Sequence, residues 1–216
     1  MSLYVRILRR ALRSTFGLWQ RLGVHVTPVH YYQPIPDTRR LTDEVFARRS
    51  LLPGVDMNES GQLAFLAKLA RFRDEYAAFP AARTSDPTRF HLANDSFGPV
   101  DAELLWGVLR EMRPRRVVEI GSGMSTLLAA EALRLNANGA ELRAIEPYPA
   151  AWLRELPGVQ LVEKRVQDVP LEEFTRLEAG DVLFIDSTHV AAIGSDVVYE
   201  ILEILPRLAP GVLVHL

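Results

Sequence analysis

The fold is decided by a stretch that reads Val117-Val118-Glu119-Ile120-Gly121-Ser122-Gly123-Met124-Ser125-Thr126. Its apolar beginning predicts a buried strand, the two close glycines predict a turn, and the residues from Met124 onward predict the start of a helix. Glycine lacks the Cβ atom that would keep a ligand away from the backbone. A helix N-terminus presents free N–H groups to the same place. The stretch therefore predicts a site for a nucleotide-type cofactor.

Around this stretch, residues 100–216 alternate short apolar runs with helical segments. The expected strands are 116–120, 142–146, 159–166, 181–186 and 211–216. The expected helices are 124–135, 150–155, 171–177 and 194–208. This alternation predicts an α/β fold of the Rossmann-like, doubly wound kind, with a mainly parallel sheet and helices on both faces. Because the chain stops at the fifth strand, we expect either a small sheet or a fragment of a longer protein whose further C-terminal strands are missing.

Upstream of this domain, the sequence predicts two other regions. Residues 1–55 are expected to form a basic helix and an irregular arm, and residues 56–99 a helical cap, with a helix over 58–79, followed by a loop. Residues 1–36 carry five arginines and no acidic residue. An amphipathic helix of this composition packs on its own domain, pairs with a second copy in a homodimer, or lies on an anionic membrane surface. The apolar members of this helix are Leu3, Ile7, Leu8, Leu12, Phe16 and Trp19.

Composition excludes several classes of protein. The 216 residues include no cysteine, so neither disulfides nor thiolate metal sites are possible. No run approaches the ~18 apolar residues of a membrane span. The net charge of −2, with the positive charge concentrated at the N-terminus, argues against a nucleic-acid partner. We expect a cytoplasmic protein, or one peripheral to the membrane.

Two cofactor classes compete for the glycine turn. The dinucleotide fingerprint is G-x-G-x-x-G, and Thr126 stands where its third glycine belongs. This departure weakens a nicotinamide assignment. An NAD-dependent oxidoreductase stays an alternative, and so does a non-catalytic scaffold that binds a cofactor or a membrane.

The other class rests on a resemblance. The run Glu119-Ile120-Gly121-Ser122-Gly123 resembles motif I of class I S-adenosylmethionine-dependent methyltransferases, in the branch with E-I-G-S-G-x-S-T. The run Phe184-Ile185-Asp186-Ser187-Thr188-His189 resembles the F-I-D-x-x-H signature of small methyltransferases that act on oxygen. Asn94-Asp95-Ser96-Phe97-Gly98-Pro99 resembles the loop that closes over the cofactor. The resemblance covers residues 90–216.

This resemblance implies a role for each candidate residue. Glu119 faces the amino-acid portion of S-adenosylmethionine, Glu146 accepts the ribose hydroxyls, and Asp168 binds the adenine amino group. The turn that holds the cofactor consists of Gly121, Ser122, Gly123, Ser125 and Thr126. His189 is the catalytic base, and Asp186 orients it, contacts the cofactor or ligates a metal.

The implied function is methyl transfer from S-adenosylmethionine to a small-molecule acceptor, at oxygen. Some related enzymes use a divalent metal, with further ligands after the fifth strand. The sequence ends at Leu216 and offers no such ligands, so a metal stays possible but unsupported.

Overall fold

The structure is a computed structural model that describes residues 7, 10–12, 14–27, 29 and 35–216. The chain forms two compact units, Met1–Met57 and Asn58–Leu216. In the first unit, helix α1 spans Phe16–Arg21, a 3₁₀ turn spans Thr38–Arg40, and α2 spans Asp43–Ala47. Two of the predicted apolar members, Leu3 and Leu8, lie outside the described residues. No helix within the described ranges is long and apolar enough to cross a bilayer.

The second unit is built on five parallel strands. They are β1 Arg116–Ile120, β2 Glu141–Ile145, β3 Val159–Val162, β4 Val182–Ile185 and β5 Leu213–His215. Their order in the sheet is β3-β2-β1-β4-β5. Strands β2 and β3 are added on one side of β1, and β4 and β5 are added on its other side. Open α/β sheets bind ligands at such a switch point, which here lies between β1 and β4. The topology confirms the predicted Rossmann-like fold.

Helices cover both faces of this sheet. The longer ones are α3 Glu59–Leu69, α5 Pro99–Met112 and α6 Met124–Asn136, and the shorter ones are α4 Arg73–Ala77, α7 Glu172–Thr175 and α8 Asp196–Tyr199. One face of the sheet packs Val117, Val182 and Phe184 against α5 and α6. The other face packs Val118 and Leu183 against Phe174 of α7 and Ile204. Alternate residues of a strand therefore enter different cores, and this explains why β1 and β4 are apolar at nearly every position.

The predicted helix over residues 58–79 is wrong in its continuity and in its buried stripe. Helices α3 and α4 are separated by a 3₁₀ turn at Ala70–Phe72. Leu63 and Leu66, whose spacing fits the helical period and predicts a buried stripe, are exposed. The side chains that are buried instead belong to Leu69, Phe72 and Tyr76. Leu69 packs where Gly107 of α5 has no side chain, so the contact with α5 selects the buried face.

Three other predicted elements are shorter than predicted or change type. Strand β3 stops at Val162, ahead of the charged residues 163–165, whereas the pattern predicted it to Val166. The long helix predicted over 194–208 consists of α8, a π-helical turn at Glu200–Ile204 and a 3₁₀ turn at Leu205–Arg207. Strand β5 is shorter at both ends than predicted.

Candidate functional site

A cavity of about 1020 Å³ lies at the carboxyl ends of the central strands. Turns that follow β1, β2 and β4 form most of its wall, as expected for a switch point. Six of the predicted site residues line it, namely Gly121, Ser122, Gly123, Ser125, Glu146 and Asp186. The sheet topology therefore brings together residues that are up to 65 positions apart in the sequence.

The two glycines of the turn after β1 differ in what they contact. Gly121 has φ +83°, and a Cβ atom there would lie 2.0 Å from the carbonyl oxygen of Asp186. Only glycine allows the turns after β1 and β4 to approach this closely. A Cβ atom on Gly123 would meet nothing within 4 Å. Because Gly123 lines the cavity, its missing side chain leaves room for a ligand.

Thr126 anchors the start of α6 below these glycines. Its hydroxyl accepts the N–H of Gly123 at 3.0 Å, and its own N–H donates to the carbonyl of Gly123 at 3.1 Å. The side chain is fully buried and does not line the cavity. Thr126 thus shapes the turn from beneath, where the dinucleotide fingerprint has a glycine.

Glu119 lies fully buried behind the turn. Its Oε1 accepts the hydroxyl of Ser125 at 2.6 Å, and its Oε2 has no hydrogen-bond partner of acceptable geometry among the described residues. Burial raises the pKa of this carboxyl to about 7, with added repulsion from Asp186 and Glu146, while the hydroxyls of Ser125 and Thr126 act in the opposite direction. A buried acid with an unused oxygen is costly unless a positive charge comes near.

Glu146 follows β2 and lines the cavity directly. Its Oε1 accepts the N–H of Tyr148 at 2.8 Å, and its Oε2 lies 3.4 Å from the N–H of Ser122. These bonds hold the carboxylate across the glycine turn. Each oxygen keeps lone-pair capacity for a further donor, since a carboxylate accepts about four hydrogen bonds.

The turn after β4 carries Asp186 and His189. The Nε2 atom of His189 lies 3.3 Å from Oδ1 of Asp186, and the imidazole is 65% exposed. His189 has φ +56°, which is uncommon for a residue with a side chain. Thr188, between them, gives its N–H and its hydroxyl to Asp196 at 3.0 and 2.7 Å. Asp186 lines the cavity and His189 does not.

The loop between α4 and α5 closes one side of the cavity through Ser96 and Phe97. The side chain of Asn94 folds this loop by accepting the N–H groups of Ser96 and Phe97 at 3.1 and 2.7 Å. Its amide donates to the carbonyls of His91 and Phe97. The ring of Phe97 is held edge-on against Phe184 of β4, with centroids 6.0 Å apart.

The structure does not bring Asp168 to the cavity. Its carboxylate is exposed and binds the guanidinium of Arg165 at 2.8 Å, and this pairing lowers the pKa of Asp168. The neighbouring Gln167 lines the cavity instead, and its Nε2 donates to the carbonyl of Gly194 at 3.0 Å. Trp152 is a further lining residue that sequence reasoning missed, although an aromatic side chain in the turn after the second strand was a usable signal.

The cavity suits a ligand with positive charge and hydroxyl donors. Carboxylates of Glu146, Asp186 and Asp196 line it, with Arg165 at one side, and Glu119 lies beneath. Within the described part of the chain, no group of three or more His, Asp or Glu side chains is arranged to hold a metal ion. A second cavity of about 880 Å³, beside α6 and the amino ends of β2 and β3, contains none of the predicted site residues.

Comparison with known proteins gives the family. Residues 118–216 match the family model for a methyltransferase domain. An uncharacterised protein of Archaeoglobus fulgidus is 31% identical over 169 residues, which make up 74% of this chain and 76% of that protein.

Two solved structures are more distantly similar. The methyltransferase PaMTH1 of Podospora anserina, solved with SAH bound, is 18% identical with a TM-score of 0.38, over 77% of this chain and 72% of that one. The O-methyltransferase TomG of Streptomyces achromogenes, involved in tomaymycin synthesis and solved with SAM, is 21% identical with a TM-score of 0.40, over 83% and 73%. TM-scores this low support no argument about function. The matched family model shows that residues 118–216 of this chain belong to the methyltransferase-domain family.

Proposed function

We propose that this protein binds S-adenosylmethionine in the cavity at the switch point and transfers its methyl group to the oxygen of a small-molecule acceptor. The observation that carries the proposal is the arrangement of two acids around the glycine turn. Glu119 is buried beneath it with one oxygen unused, and Glu146 lies across it with capacity for two more donors. The family match over residues 118–216 covers both acids.

The acids match the charge and the hydroxyl groups of this cofactor. S-adenosylmethionine carries an ammonium and a sulfonium, and both favour ionised carboxylates nearby. We assign the ribose hydroxyls to Glu146, which lines the cavity, and the amino-acid portion to the open space at Gly123. Gln167 and Trp152 offer a polar and an aromatic contact for the adenine. A dinucleotide pyrophosphate would instead be repelled by these carboxylates.

The cofactor supplies an activated methyl group on sulfur, so the protein must align the acceptor and remove its proton. Alignment alone contributes much of the rate in reactions of this kind. His189 is the proposed base. When Asp186 accepts the Nε2–H of His189, the lone pair of the imidazole lies on Nδ1, where it can take the proton of an acceptor hydroxyl.

Calorimetric titration with S-adenosylhomocysteine tests the cofactor assignment. We expect the protein to bind this compound and not NAD, and we expect Glu146→Ala to abolish binding. The matched control is Glu163→Ala, because Glu163 is an exposed acid near β3 that does not line the cavity. Binding of NAD in place of S-adenosylhomocysteine would favour the oxidoreductase alternative, and unchanged affinity in Glu146→Ala would refute the ribose assignment. His189→Ala should keep the wild-type affinity, since its proposed role is in proton removal.

A further inference from the structure

Beneath the turn after β4 lies a carboxyl group to which the proposed mechanism gives no role. Glu200 is 2% exposed. Its Oε2 accepts the hydroxyl of Ser187 at 3.1 Å, and its Oε1 has no hydrogen-bond partner among the described residues. Burial raises the pKa of this carboxyl group. A buried acid with one unsatisfied oxygen lowers the stability of the fold, so its presence needs another explanation.

The backbone around Glu200 departs from a regular helix in a way that buries the acid. Glu200 begins the π-helical turn that follows α8. Glu200 and Ile204 face the core, while the large apolar side chains of Ile201 and Leu202 are 53% and 62% exposed. A sequence selected for stability alone would bury the leucine and expose the acid. Violations of this kind, and π-helical turns in particular, concentrate at functional sites.

Glu200 contacts Ser187, which lies between Asp186 and the proposed base His189. Ser187 follows Asp186 directly, lines the cavity, and lies two positions before His189. The next residue, Thr188, is bound to Asp196 at the start of α8. The turn after β4 is thus held by two acids, Asp196 at the start of α8 and Glu200 in the π-helical turn that follows α8. This matters because a residue with positive φ, as His189 has, keeps that conformation only when its surroundings impose it.

We propose that Glu200 is a positioning residue, which acts through the hydroxyl of Ser187 to hold the turn that brings His189 against Asp186. The inference rests on the proposed function only in treating His189 as the base and Asp186 as the residue that orients it. The geometry that it describes exists in the free protein and can be measured without cofactor or acceptor.

The test compares Glu200→Met, Glu200→Gln and Ser187→Ala with the wild type by NMR of protein labelled with ¹⁵N-histidine. His189→Gln identifies the imidazole resonances of His189, and Asp186→Ala shows where they lie without the aspartate partner. We expect Glu200→Met and Ser187→Ala to move these resonances at least halfway to their position in Asp186→Ala. Glu200→Gln keeps an oxygen that accepts the Ser187 hydroxyl, so it should retain the wild-type spectrum. The control is Glu203→Gln, because Glu203 is a half-buried acid on the same turn that pairs with Arg207.

A purely structural role predicts a different result. If Glu200 only stabilised the fold, Glu200→Met would lower the melting temperature. We expect the melting temperature of this variant to equal or exceed that of the wild type at pH 7.5, because an unsatisfied buried acid is removed. Wild-type His189 resonances in Glu200→Met would overturn the inference, and so would a shift in Glu200→Gln equal to that in Glu200→Met, or a lowered melting temperature. Wild-type failure to bind S-adenosylhomocysteine would count against the proposed function and leave this result standing.

Discussion

Gly121 and Gly123 stand two positions apart, and the structure gives them separate roles. Gly121 is required by the protein itself, because its positive φ and the carbonyl of Asp186 leave no room for a side chain. Gly123 borders open space in the cavity, so the protein alone does not require glycine there.

Alanine substitution at each glycine should separate stability from binding. Gly121→Ala combines backbone strain with overpacking against Asp186, and we expect it to lower the free energy of unfolding by about 3 kcal/mol. Gly123→Ala should change that free energy by less than about 1 kcal/mol and weaken S-adenosylhomocysteine binding at least about tenfold by filling the space it needs. Urea denaturation and calorimetry measure the two effects. Equal loss of stability in both variants would contradict the distinction.

Glu119 makes the stability of the protein depend on pH. Its folded pKa of about 7 exceeds the ordinary value of 4.5, so the folded state keeps a proton that the unfolded state releases. Stability therefore falls as the pH rises from about 4.5 to about 7, and is constant with respect to this group outside that window. The shift corresponds to about 3 kcal/mol.

Glu119→Gln should remove this dependence, because glutamine does not titrate. We expect the variant to gain about 2.5 kcal/mol of stability relative to the wild type between pH 5 and pH 8, measured by urea denaturation at both pH values. Glu163→Gln serves as the exposed control and should follow the wild type. A constant difference between Glu119→Gln and the wild type at the two pH values would show that Glu119 does not titrate in this window.

At the scale of elements, one polar cluster connects three helices. Arg110 of α5 forms two bonds to the carboxylate of Glu75 in α4, at 2.8 and 2.9 Å, and a third to the side-chain oxygen of Asn136 at the end of α6. The guanidinium lowers the pKa of Glu75. Asn136 in turn donates to the carbonyl of Leu109 at 2.9 Å. Helices α4 and α5, which precede the glycine turn, are thus fixed to α6, which begins at that turn.

Loss of the guanidinium should leave Glu75 and Asn136 without their shared partner. We expect Arg110→Met to lower the free energy of unfolding by about 3 kcal/mol, since removing one member of a partly buried pair strands the other. Arg115→Met is the matched control, because Arg115 is 77% exposed and lies 4.0 Å from Glu178. Urea denaturation at pH 7 compares the two variants. Equal effects would mean that the cluster contributes nothing beyond a surface ion pair.

Elements with strong local signals were predicted well, and elements shaped by their neighbours were not. Strand β1 has the predicted bounds, and α6 differs by one residue, because an apolar run and a glycine turn decide them locally. The segment over 58–79 and the π-helical turn escaped prediction. In both segments, the apolar pattern allowed more than one buried face. Contact with α5 selected the buried face of the first segment, and the π-helical turn that begins at Glu200 selected the buried face of the second.

At the scale of the whole molecule, the switch point makes one site from three strand ends. Residues after β1, β2 and β4 meet because the strand order places β1 between β2 and β4. The predicted division into a helical cap over 56–99 and a cofactor-binding domain over 100–216 stays a proposal. Two contacts at the switch point depend on how the turns after β1 and β4 are held. They are the close approach of Gly121 to Asp186 and the contact of His189 with Asp186.

By itself, the sequence determined the parallel α/β fold, the glycine turn and the acids at the ends of the strands, because hydrophobic period and glycine chemistry act over a few residues. Only the tertiary structure decided which of these side chains share a cavity. It turned Asp168 toward Arg165 and brought Gln167 to the wall instead. It also buried Glu200 under Ser187. The physical reason is that burial and pairing of a polar side chain depend on elements distant in the chain, whose approach no local pattern encodes.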